Sequence, residues 1–334
     1  MRIPYDEVIN QLKMTLTAHG CCEEKAGLVA ATMADNSLAG VYTHGINRFK
    51  RLIANIDSGV IDVNAQAEKT GGLGGYEVYE GKRGLGIWNA VLATKRVLEL
   101  AKIHGIGCVA LRNTNHWLRG GTYTGMIADA GMAGIAFTNT KNNTVAWGTM
   151  SGCIGNNPIS MAVPGPRGCP NVAVDMAMSQ FAWGKLELAK LEGRQLPMEG
   201  GHDLDGNPTR DPDKIMESKR IMPTGMWKGS SMSILLDLVA ACVSGGNTVH
   251  QLSGLGDEQA LSQVFLAINY RALNNAGEIE ESIQDTLENL LTQTPAKDGM
   301  AVRYPGQSSG TVKADNLAHG IPVDERVWEE ILAL

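Results

Sequence analysis

The chain has 334 residues, 43% of them apolar and 19% charged, with a formal net charge of -6. That composition belongs to a globular protein of one large or two medium domains, long enough to bury a substantial core. The acidic balance and the lack of a basic block argue against a nucleic-acid partner or an anionic membrane surface. No apolar run reaches the ~18 residues a spanning helix needs, and Met1-Arg2-Ile3-Pro4 has no signal-peptide pattern. Six scattered cysteines without a Cys-x-x-Cys pair point to free thiols in a reducing cytoplasm and to no metal site.

Residues 4–19 read as a first helix, with Val8, Leu12 and Leu16 facing inward and Gly20 ending it. An alanine-rich helix follows over 23–37. A third is expected over 44–57, because Ile46, Phe49, Ile53 and Ile56 form one apolar stripe. Thr43 stands where its N-cap belongs, and His44 and Arg48 are four apart on one face. A helix N-terminus disfavours a nearby imidazolium, so His44 is expected to be a somewhat stronger acid than a free histidine. A guanidinium can hold a carboxylate by two parallel hydrogen bonds while an imidazole passes a proton to the neighbouring carbonyl. The alternative is a solvated helix face that carries a His and an Arg.

From Gly71 the texture becomes α/β. The Gly71–Gly75 run reads as a hairpin or linker into a strand at 76–79, followed by a helix over 88–104 and a buried strand at 108–111. His116 lies in the loop after that strand, where α/β proteins place chemistry, or else simply caps the next helix, which runs to about Ala130. Another strand is expected at 134–138 and a polar loop over 139–158. Residues 159–163 and 172–176 read as strands joined by the Pro164–Pro170 turn. Asp175 interrupts the second, and a carboxylate there needs a cationic side chain or a cofactor hydroxyl as partner.

A helix over 181–193 and a loop-like stretch over 194–224 come next. Gly225-Met226-Trp227-Lys228-Gly229 then opens a long helix, expected to be buried over 232–243, whose first amides and Lys228 would suit an anion. A strand is expected at 264–268 and helices at 277–293, 309–318 and 324–333. The dinucleotide fingerprint Gly-x-Gly-x-x-Gly is absent: Gly105-Ile106-Gly107 precedes a strand instead of following one. A Rossmann domain is therefore not supported, and no Gly-x-Ser-x-Gly elbow marks a hydrolase.

Five stretches, in order, carry a resemblance: Thr43-His44-Gly45-x-x-Arg48, Asn113-x-Asn115-His116, Gly155-x-Asn157-Pro158, Val174-Asp175-Met176 and Trp227-Lys228-Gly229. Together they resemble the type-2 malate/L-lactate dehydrogenase family over essentially the whole chain. The resemblance implies a non-Rossmann α/β fold, with a mixed-sheet domain over 73–274 that binds cofactor and substrate. A mainly helical domain would be built from both termini, 1–72 with 275–334. It implies a homodimer that transfers hydride from NADH, or NADPH, to a small 2-oxo acid.

By position, the resemblance makes His44 the proton donor. Arg48, His116 and Asp175 complete the candidate catalytic set. Cofactor contacts are implied at Asn171, Val172, Ala173, Val174, Asp175, Met176 and Ala177, at Trp227 and Lys228, and at Gly306, Gln307 and Ser308. The last three depart from the Gly-His-Glu of one branch of the family. Tyr42, Asn47, Trp117 and Arg119 flank the candidates and suit a polyhydroxylated substrate.

Overall fold

The computed structural model describes residues 1–166 and 168–334. A seven-stranded mixed sheet organises the middle of the chain. Its strands are β1 (Glu68–Leu73), β2 (Tyr76–Glu80), β3 (Ile106–Thr114), β4 (Ala133–Thr138), β5 (Ile159–Val163), β6 (Val172–Met176) and β7 (Leu261–Ile268). The spatial order is β1-β2-β3-β7-β4-β5-β6. Only β2 and β3 run parallel; the other neighbours are antiparallel. The C-terminal strand β7 thus sits at the centre, inserted between β3 and β4. β6 forms an edge.

The helices are α1 (Tyr5–Ala18), α2 (Glu23–Leu38), α3 (Phe49–Asp57), α4 (Gly86–His104), α5 (Gly120–Asp129), α6 (Trp183–Leu191), α7 (Pro212–Ser218), α8 (Trp227–Ser244), α9 (Val249–Ser253), α10 (Ala276–Leu291), α11 (Ser309–His319) and α12 (Glu325–Leu332). Strand alternation divides the core between the two faces of the sheet. Val109, Leu111, Phe265 and Ala267 meet α4 and α5 on one face, where Trp117, Tyr123 and Phe265 pack as a trio. Ala110, Phe137 and Val264 meet Leu236 and Ala240 of α8 on the other. A separate core joins α1, α2 and α3 with Ile321, Trp328 and Ile331 from the C-terminus. Residues 181–221 carry a small apolar cluster of their own, built on Phe181, Leu186, Leu196 and Ile215.

Four expectations need correction. The helix over 44–57 is broken: two 3-10 turns, Tyr42–His44 and Ile46–Arg48, precede α3, and Thr43 makes no capping hydrogen bond. Gly45 explains the break. A Cβ there would meet Ser37 Oγ at 2.0 Å and Met33 O at 2.9 Å, so the chain presses against α2 and cannot wind as a free α-turn. The polar stretch 139–158 holds a hairpin, Asn142–Val145 with Gly152–Gly155, and the stretch 194–224 holds α7. The long helix α8 is not buried all round. Met232, Leu235, Leu238 and Val239 on it are exposed, because only one of its faces meets the sheet.

Candidate active site

Three segments converge on one cleft of about 410 Å³: the 3-10 turns at 42–48, the loop between β3 and α5, and the edge strand β6. His44 ends the first turn. Buried Asn36 on α2 donates to the His44 carbonyl at 2.9 Å and accepts from Thr122 Oγ1 of α5 at 2.6 Å. One amide side chain therefore fixes the histidine backbone against both the helical core and the sheet domain. The Thr43 hydroxyl lies 3.2 Å from His44 Nδ1, which leaves Nε2 for the cleft.

His116 stacks beside it, ring centroids 6.0 Å apart with 23° between planes. Its loop is held from below. Buried Asn115 donates to the carbonyls of Arg83 and Gly84 at 2.7 and 3.1 Å, and its own carbonyl accepts from Gln263 of β7 at 2.9 Å. Leu118, at φ 69°, turns its N–H back onto His116 Nδ1 at 2.9 Å. A ring nitrogen that accepts cannot carry the proton, so neutral His116 is protonated on Nε2.

Both histidines are driven neutral. Burial pushes each down to about 3; His116 and then Arg48 add to the effect on His44, and Arg48 and Arg51 to that on His116. His44 is thus a stronger acid than a free histidine, as expected, but the cause is burial among cations. The residue lies before α3, outside its first turn.

Arg48 is half-buried, and among the described residues no carboxylate lies within 4 Å of it. Burial and neighbouring Arg51 lower its affinity for the proton it keeps, so an anion in the cleft would relieve both. Asp175 does find partners. Its Oδ2 accepts from the Gly121 N–H at the start of α5 at 2.9 Å, and Arg119 Nε lies 3.8 Å away. Burial still raises its pKa against those two opposing effects. It touches neither histidine. Arg119, Asp175, Met176 and Ala177 line the cleft together with His44, Arg48 and His116.

The edge of β6 is suited to a carboxamide. The Ala173 N–H points outward, to Pro305 O at 3.0 Å. By the two-residue alternation, the N–H and C=O of Asp175 also point outward, away from β5 and towards the cleft. A primary amide, with one donor edge and one acceptor edge, matches such a strand, so these residues fit a nicotinamide. Gly306, at φ 92°, lies against this strand and would bring a Cβ within 2.6 Å of Asn171 O. Gln307 folds back to accept from Tyr304 N at 3.2 Å, and Asn171 donates to Asp129 at 2.6 Å, so both side chains are committed inside the protein. Ser308 begins α11 without a side-chain cap. Trp227 and Lys228 open α8, exposed, and do not line the cleft. Among the flanking residues only Arg119 does: Trp117 is 1% exposed in the core, and the Tyr42 hydroxyl accepts from Asn316 at 3.3 Å.

The lining residues that escaped the sequence reading include the charged Arg51, Lys141, Lys219 and Glu258. Glu258 lies in the loop between α9 and β7, 3.8 Å from His116 Nε2. Nothing local marks it beyond the Gly254-Leu255-Gly256-Asp257 turn before it.

Over residues 3–332 the sequence matches the malate/L-lactate dehydrogenase family. The chain belongs to that family. It is 39% identical, over the full length of both chains, to 2,3-diketo-L-gulonate reductase of Escherichia coli, and 38% identical to the enzyme of that name from Salmonella paratyphi B. The malate dehydrogenase of Pyrococcus horikoshii superposes with a TM-score of 0.89 at 27% identity, covering 99% of this chain and 93% of that one. Sulfolactate dehydrogenase of Methanocaldococcus jannaschii gives 0.90 at 26%, over 99% and 95%. The chain is therefore an oxidoreductase with the type-2 fold, and the missing Rossmann fingerprint is a property of that fold. Among the described residues no helix is long and apolar enough to cross a membrane, and no group of His, Cys, Asp and Glu gathers to hold a metal ion.

Proposed function

We propose that the protein reduces a sugar-derived 2-oxo acid, 2,3-diketo-L-gulonate, to its 2-hydroxy product with NADH. The carrying observation is the pair of stacked histidines beside an Arg48 that, among the described residues, has no carboxylate partner. The relatives' names narrow the substrate. Arg48 clamps the carboxylate by paired hydrogen bonds and so fixes the adjacent carbonyl over the histidines. His116 donates from Nε2 to the carbonyl oxygen or a neighbouring hydroxyl. His44 takes up a proton from solvent as substrate binds, delivers it to the oxygen as the oxygen becomes an alkoxide, and returns to the neutral imidazole. The reduced nicotinamide supplies the hydride to the carbonyl carbon when bound. Asp175 and Ala177 hold the carboxamide on the β6 edge, and Asp175 steadies the start of α5 through Gly121.

A bound carboxylate opposes the Arg48 charge, which adds to burial in keeping both histidines neutral. Substrate binding thus raises their proton affinity at the moment a proton is needed. The exposed apolar face of α8 supports the homodimer that the resemblance implies, since a patch of this kind marks a contact surface.

The test is NADH oxidation by the purified protein with 2,3-diketo-L-gulonate, oxaloacetate and pyruvate in parallel. Turnover confined to the diketogulonate bears out the substrate. Faster turnover of oxaloacetate or pyruvate moves the enzyme within its family, and none with any of them, using NADH or NADPH, refutes the reading.

A further inference from the structure

Beside the cleft lies a small chamber that shares Arg48, Arg51, His116, Leu118 and Glu258 with it. Leu52, Leu85 and Ile87 form its apolar wall. Glu258 is the feature the mechanism above leaves unused. Its side chain is 17% exposed, and Oε1 is fully buried without a hydrogen-bond partner. The neighbouring His116 Nε2–H, at 3.8 Å, is too far to bond it. The loop that carries Glu258 is anchored, because Lys141 Nζ donates to the Gly256 carbonyl. An orphaned carboxylate oxygen in a low-dielectric wall is destabilising unless a ligand supplies a donor.

We propose that Glu258 determines the class of 2-oxo acid accepted: its buried carboxylate takes a hydrogen bond from a hydroxyl on the substrate chain and turns away a second carboxylate. The charges agree. Within the chamber two guanidiniums, Arg48 and Arg51, face one carboxylate, and that local surplus of one positive charge matches one substrate carboxylate, while Lys141 and Lys219 line the wider cleft. A dicarboxylate would set its second negative charge against Glu258, whereas a hydroxylated monoacid would fill the empty acceptor. Polar sites discriminate strongly in this way, because the wrong ligand leaves a buried group unpaired. The proposal rests on the reading of Arg48 as the carboxylate clamp.

The experiment is calorimetric titration of the wild type, Glu258→Gln and Glu258→Asp with L-threonate and with succinate. The wild type should bind threonate at least tenfold tighter than succinate. Glu258→Gln should shrink that ratio at least tenfold, with succinate binding better than it does to the wild type. Glu258→Asp keeps the charge on a shorter arm, so it should still exclude succinate but lose at least tenfold in threonate affinity. A ratio unchanged in Glu258→Gln, or an equal loss for both ligands, overturns the proposal. So does unaltered threonate binding by Glu258→Asp, which carries the test alone should the Gln variant not fold. Binding needs no turnover, so failure to reduce any 2-oxo acid would sink the reductase reading while leaving the ratio to judge Glu258.

Discussion

Burying two neutral histidines side by side ties the stability of the fold to pH. His44 and His116 fall from 6.5 in the unfolded chain to about 3 in the fold. Between those values the unfolded chain binds more protons than the folded one, so stability rises with pH across the window and is lost on acidification. From pH 7 to pH 5 an unfolded histidine goes from about one-quarter to almost fully protonated, and the native pair stays neutral. The difference is about 2 kcal/mol for each histidine, or about 4 kcal/mol for the two. His19 works the other way: its hydrogen bond to Asp57 raises its pKa, so its contribution is present at pH 5 and fades as pH rises. Single variants isolate the pair from this background. Urea unfolding at pH 7 and pH 5 should show that His44→Gln and His116→Gln each lose about 2 kcal/mol less than the wild type on acidification. If both variants lose as much stability as the wild type, the histidines are not buried neutral and the electrostatic account of the site fails.

In kinetics, His44→Gln should lower kcat by 10²-fold or more while NADH affinity, read by fluorescence titration, changes less than threefold; equal losses would make His44 structural. Arg48→Lys keeps the charge but not the fork, so KM for the 2-oxo acid should rise about tenfold or more, and an unchanged KM would remove Arg48 from the substrate. Gly45→Ala must displace Ser37 or the Met33 carbonyl. It should cost about 1–3 kcal/mol in urea unfolding and lower kcat, because His44 moves with the turn. A fully stable, fully active Gly45→Ala protein would show that the turn has room to spare.

The parts of the site legible in sequence are those with a local signature. His44 and Arg48 lie four residues apart, and the cleft holds both even though the helix that argued for them is broken at Gly45. β5 and β6 have the expected bounds, Ile159–Val163 and Val172–Met176, since short apolar runs flanked by turn residues leave little choice. What stayed hidden depends on contacts far apart in the chain. Glu258 meets His116 across 142 positions of sequence, and Asp175 meets Gly121 across 54. The exposed stripe on α8 was misread for a related reason: apolar residues all round a helix signal burial, but not what does the burying. The sheet covers only the Leu236–Ala240 side.

The same long-range geometry explains why the site needs both terminal helices and the sheet. Asn36 on α2 holds the His44 backbone and takes the Thr122 hydroxyl of α5, whose first turn is in turn held by Asp175 on β6. One chain of hydrogen bonds therefore runs from the helical core, through the backbone of His44, the proposed proton donor, to the strand edge suited to the nicotinamide. A proton donor must stand within hydrogen-bond reach of the oxygen while hydride arrives from the other partner, and an error of an ångström between them is expensive. Had His44 been anchored on the helical core alone, each small shift between the two cores would have changed that distance. The Asn36–Thr122 bond joins His44 to the element that also receives Asp175, so the two halves of the proposed reaction share one frame.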